Sequence, residues 1–131
     1  MTSDSESKHI KSGIPKQCHL WNDKELTRDT ITKSLVLVKP YEDDSHLIRN
    51  LLRCRECGQL YFHEFYEIVD WTDGNDAQYT TWIPVEDVES ADNLKKLLPM
   101  ELLRYGGMRV NYPSSAKLPT APYWTMREPG Q

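Results

Sequence analysis

The run at residues 60–71 constrains the fold more than any other stretch of the chain. It is rich in aromatic and β-branched side chains, which suit a pleated strand. Period-two alternation places Leu60, Phe62, Glu64, Tyr66, Ile68 and Asp70 on one face, and Tyr61, His63, Phe65, Glu67, Val69 and Trp71 on the other. Both faces are largely apolar, so both need cover, and the strand belongs at the centre of a layered domain. Asp73-Gly74-Asn75-Asp76 is a turn signal. Residues 79–85 then read as the return strand, with Pro84 at its end or on an edge.

The remaining elements are placed around this hairpin. Residues 35–38 suit a short buried strand ended by Lys39-Pro40. Ser45 is a plausible cap for a helix over residues 46–53, where Leu47/Leu51 and Ile48/Leu52 stand at i, i+4 spacing. Asn22 or Asp23 is expected to cap a helix reaching about residue 33, and Ser90 one over residues 91–98, with another helical turn at 100–105. Residues 108–112 and 123–126 are short strand candidates. The expected fold class is α+β: a small mixed or antiparallel sheet centred on a long hairpin, with two or three helices packed on one side. The 131 residues suffice for one domain, expected at residues 18–131. The polar stretch at residues 1–17 reads as a flexible N-terminal tail.

Charge is unevenly distributed. The net charge is -4, yet residues 61–92 contain no Lys or Arg and carry every one of Glu64, Glu67, Asp70, Asp73, Asp76, Glu86, Asp87, Glu89 and Asp92. Non-specific nucleic-acid binding needs a basic footprint, which this total lacks. The acidic stretch interleaves with aromatics, so Glu64, Glu67, Asp70, Trp71, Asp73, Asp76, Tyr79 and Trp82 form a candidate binding surface for a basic protein. Two other readings compete. The carboxylates can be satisfied internally by cations such as Lys95, Arg104, Arg109 and Arg127. Alternatively, His63 with Glu64 or Glu67 serves as the acid and base of a small hydrolase. No catalytic residue is assigned, because the sequence pairs no nucleophile with a base and has neither a Gly-rich phosphate loop nor a two-histidine metal spacing. No apolar run is long enough to span a bilayer, and residues 1–16 lack the apolar core of a secretion signal, so a cytoplasmic location and no membrane partner are expected.

Cys54-x-x-Cys57-Gly58 has the form of half a zinc ribbon: two thiolates two residues apart grip one tetrahedral ion, and the glycine frees the turn. A closed site needs further ligands. The candidates are Cys18, His19, His63 and His46, with Cys18 or His63 the first choice to join the knuckle; Cys18-His19 is the best spare pair by chemistry, but adjacent side chains usually diverge. Zinc is therefore a possible cofactor. Inert buried thiols and a redox pair are the other readings, and the absence of a βαβ pattern around the motif counts against redox work.

The run Cys54-x-x-Cys57-Gly58-Gln59-x-Tyr61-x-x-Glu64-Phe65-Tyr66-Glu67, followed by Asp70-Trp71, Gly74-Asn75-Asp76, Tyr79 and Ile83-Pro84-Val85, resembles a pattern of small bacterial proteins. In size and acidity the chain is similar to the immunity proteins that neutralise polymorphic or contact-dependent toxins. That resemblance implies a non-enzymatic inhibitor, monomeric or homodimeric, covering the active surface of a cationic, nuclease-like toxin. It implies no catalytic residue. A zinc-ribbon-like adaptor, or a module contacting nucleic acid through its basic ends, is the alternative.

Overall fold

A computed structural model describes residues 10–114 and 116–125. Two short helices, α1 (His19–Asn22) and α2 (Arg28–Ser34), lead into β1 (Leu35–Asp44), β2 (Leu47–Cys54), β3 (Leu60–Ile68) and β4 (Ala77–Val85). Helices α3 (Val88–Leu94) and α4 (Pro99–Leu102) precede β5 (Gly107–Tyr112) and β6 (Tyr123–Thr125). The strands form one six-stranded antiparallel sheet whose spatial order follows the chain, β1 to β6.

The β3–β4 hairpin lies at the centre, as the alternation of residues 60–71 requires, and both its faces are covered around Tyr61–Phe62 and Trp82–Ile83. On one face Leu51, Phe62 and Ile83 are cross-strand neighbours, and they pack with Val85, Ala91, Leu94 and Leu102 into one core. On the other face Tyr61, Trp82 and Met108 join Cys18, Leu20, Ile31, Leu35 and Cys54 in a second core. The helices therefore divide, α3 and α4 to the first face and α1 and α2 to the second, rather than packing on one side.

The helix expected over residues 46–53 is strand β2. Leu47, Ile48, Leu51 and Leu52 satisfy i, i+4 spacing, but two apolar pairs in a row serve equally well in a strand buried on both faces. Pairing with β3 settles the matter, because it delivers Arg49 to Glu64. Ser45, the expected cap, lies in the β1–β2 turn, where Asp44 Oδ1 accepts a hydrogen bond from the His46 amide at 3.0 Å, an interaction that serves tight turns as well as helix starts. Strand β1 runs on through Pro40 because it is a sheet edge, with register shifts between Leu37/Lys39 and Pro40/Glu42. Thr27 caps α2 through the Thr30 amide, and Asp87 caps α3 through the Ser90 amide. Ser90 is buried instead, its Oγ accepting from the Lys11 amide at 2.7 Å.

That last bond bears on the expected tail. Residues 1–9 lie outside the described residues. Ile10 is buried in the first core, Ser12 bridges to Val85 and the Glu86 amide donates to the Lys11 carbonyl, so residues 10–12 are part of the domain.

One ion pair is buried within the sheet. Arg49 Nη2 stands 2.6 Å and Nε 2.8 Å from Glu64 Oε2, and Nη1 donates to the Lys95 carbonyl at 3.0 Å. Burial pushes the Glu64 carboxyl above its ordinary range, while the Arg49 and Arg109 guanidiniums oppose that shift. Removing one partner strands a charge in the interior. Glu64→Leu alone is expected to destabilise by about 3–5 kcal/mol in urea unfolding, whereas Arg49→Met with Glu64→Leu recovers most of the loss.

Candidate functional site

Strands β3 and β4 end in a loop at residues 69–76 that is built on its own carboxylates. Asp70 Oδ1 accepts from the Thr72 and Asp73 amides at 3.0 and 3.1 Å, and the Asp70 amide donates to Asp76 Oδ1 at 2.7 Å. Gly74 takes a positive φ of 71°, where a side chain would be strained, and its amide donates to the Asp70 carbonyl. The Asp73 and Thr72 amides hold the Asp70 carboxyl below the usual carboxylate range. The loop thus presents Trp71, 89 % exposed, with Asp73 also exposed.

The other members of the proposed acidic surface separate. Glu64 is buried against Arg49, where it borders a groove, and Trp82 is buried in the second core, so neither is part of an exposed acidic patch. Glu67 lies on the opposite face from Glu64, bonded to His46 Nδ1 at 2.9 Å and to Gln78 Nε2 at 3.0 Å, and these contacts lower its carboxyl. Asp92, at the end of the acidic stretch, accepts from Tyr41 and Lys39. The chain's own groups thus occupy much of the negative charge; of the exposed remainder, Asp73 stands in the loop, and Glu86 and Glu89 follow the far end of β4.

Tyr79 points into a feature that sequence patterning did not anticipate. Helices α3 and α4 are too short to cover the sheet, since seven helical residues span about 10 Å and a nine-residue strand about 30 Å. The uncovered part of the first face is a groove of about 700 Å³, floored by Tyr66, Ile68, Tyr79, Arg109 and Tyr123. Its other wall is Leu98, Met100 and Leu103, with Leu98 67 % and Met100 80 % exposed. The sequence did carry a signal for it. Leu97, Leu98, Met100, Leu102 and Leu103 surround a single helical turn on all sides, and one sheet contact cannot cover them all. Ile68, on the groove floor, is the last residue of β3 before the acidic loop, so groove and loop are continuous.

No protein-family model, curated protein or solved structure matches the chain. The site must therefore be read from its own chemistry.

The thiols converge. Cys18 Sγ, Cys54 Sγ and a ring nitrogen of His19 all lie within 4.8 Å of one another. Cys57, three residues on from Cys54, is exposed and stands outside that trio. The Tyr61 hydroxyl donates to Cys18 Sγ at 3.0 Å. Burial pushes the Cys18 thiol up to about 12, with the Tyr61 hydrogen bond opposing the shift. A thiol so protonated is a poor nucleophile.

His63 is neither a partner of these thiols nor equipped as a base. It stacks on Trp82, with ring centroids 5.5 Å apart and an interplanar angle of 30°. Glu64 points to the opposite face, and Glu67 stands four residues along the strand, about 13 Å away. Burial, helped by the charge of Arg28, pushes the imidazole down from 6.5 to about 4. The unfolded chain accepts the proton that the folded chain resists, so the stability due to neutral His63 is complete above pH 6.5 and is lost as pH falls towards 4. The difference amounts to at most about 3 kcal/mol. Urea unfolding of the wild type from pH 7 to 4 should show this decline, and His63→Phe, which keeps the stacking, should flatten it.

Proposed function

We propose that the chain is a non-catalytic binding protein of the cytoplasm that engages a basic protein partner, as an immunity-type inhibitor engages a cationic, nuclease-like toxin. The observation that carries this reading is the continuity of an apolar groove with a cation-free acidic loop. Exposed Leu98, Met100 and Ile68 offer apolar area that the chain's own helices leave bare. Trp71 and Asp73 stand at its end on a loop already ordered by Asp70 and Asp76. Such pre-organisation lowers the entropy lost on association, and the negative charge accelerates encounter with a positive surface. The environments of His63 and Glu64 favour binding over catalysis, since His63 stacks on Trp82 while Glu64 points to the opposite face and is engaged by Arg49, so the two do not form an acid–base pair.

Co-expression with a toxin encoded beside this chain is expected to restore growth, and the purified pair to form a salt-sensitive 1:1 complex. Trp71→Ala is expected to raise Kd about thirtyfold, the ~2 kcal/mol of an interface hot spot. Asp73→Lys should slow association, and Met100→Glu should weaken the complex through the groove. Unchanged protection and unchanged rates in the triple variant would exclude this surface.

A further inference from the structure

Cys18 and His19 are adjacent in sequence, and adjacent side chains ordinarily diverge. Here the backbone changes direction between them. Cys18 is extended, at φ -83° and ψ 132°, and His19 opens α1, so both side chains reach the same point. From the other side comes the β2–β3 turn. Cys54 ends β2, the Gly58 amide donates to the Cys54 carbonyl at 3.0 Å, and Gly58 adopts a φ of 81°. Cys57 lies within that turn and is exposed.

In a tetrahedral zinc site, with Zn–S near 2.3 Å and Zn–N near 2.0 Å, neighbouring ligand atoms stand about 3.6–3.8 Å apart. His19 Nδ1 is 3.7 Å from Cys54 Sγ. The other ring nitrogen is already engaged: Nε2 lies 2.9 Å from Ser34 Oγ and 3.1 Å from Glu56 Oε2. Such a carboxylate and hydroxyl pair orients a metal-bound imidazole and leaves its free lone pair on Nδ1. The Tyr61 hydroxyl aimed at Cys18 Sγ serves a thiolate in the same way.

We infer that Cys18, His19, Cys54 and Cys57 form a structural site for one Zn²⁺, with Cys57 closing the tetrahedron from the exposed side. Three sulfurs and one nitrogen leave no open position, which is the ligand set of a structural centre. The ion joins α1 to the β2–β3 turn across the second core, so metal binding and folding are coupled. Zinc binding displaces the thiol protons to the buffer, and no redox change takes place. His63 has no part in the site.

Metal analysis of the full chain, purified under reducing conditions, tests this. One zinc per chain is expected, and Co²⁺ exchange should give thiolate charge-transfer bands with tetrahedral d–d bands. Cys57→Ser alters only an exposed ligand, so it should fold with an unchanged circular dichroism spectrum while zinc affinity falls at least about tenfold, the order seen when a ligand shell is perturbed. Cys18→Ser should abolish stoichiometric zinc, and His63→Ala should retain it. A chain that is well folded without zinc, takes up none on titration with ZnCl₂ and shows no tetrahedral cobalt spectrum would overturn the inference. Zinc retained at full affinity by Cys57→Ser would overturn the role of Cys57.

Discussion

At Tyr61 and Phe62 strand β3 is buried on both faces, and the architecture follows from that constraint. A strand with Phe62 on one side and Tyr61 on the other must be roofed twice. The chain meets the demand with four short helices, two before the sheet and two inserted between β4 and β5. Because each is only one or two turns long, neither layer is extensive. Cover is complete over the middle of the sheet and ends before its β5–β6 corner, where the groove begins.

The same constraint explains the charges. A two-sided strand that carries Glu64 must supply it with a partner inside the sheet, and Arg49 stands directly opposite on β2. Thr81 on β4 and Arg109 on β5 continue that row across the sheet. The row marks the border between the packed core and the groove. Charge that looks surplus along the sequence is in part the internal electrostatics of the fold. Asp70 and Asp76 shape a loop, Asp87 caps a helix, and Asp92 ties α3 to β1 through Tyr41 and Lys39.

The second layer has a different anchor. Helix α1 is four residues long and has little core of its own beyond Leu20. It is held by side-chain contacts of long range: Trp124 Nε1 donates to the Leu20 carbonyl, Trp21 meets Trp124 edge to face at 5.0 Å, and Cys18 meets Tyr61 and Cys54. A metal ion at the thiol cluster would turn a weak attachment into a firm one. Groove and thiol cluster thus occupy opposite faces of the sheet, one suited to contact and the other to stabilisation.

The sequence alone determined the central hairpin, its two apolar faces and the knuckle at Cys54 and Cys57. Each rests on local signals: β-propensity, period-two alternation, and a turn that needs glycine. It also held the apolar excess around Met100, although not the surface that excess would form. Only the tertiary structure decided that residues 47–54 are a strand, that Trp82 and Glu64 are interior, that His19 rather than His63 joins the thiols, and that an apolar groove runs up to the acidic loop. The physical reason is common to all four. Helix and strand periods are degenerate over short apolar runs, and the partner of a charge, a ring or a sulfur is set by strand register, which brings together residues that lie far apart along the chain.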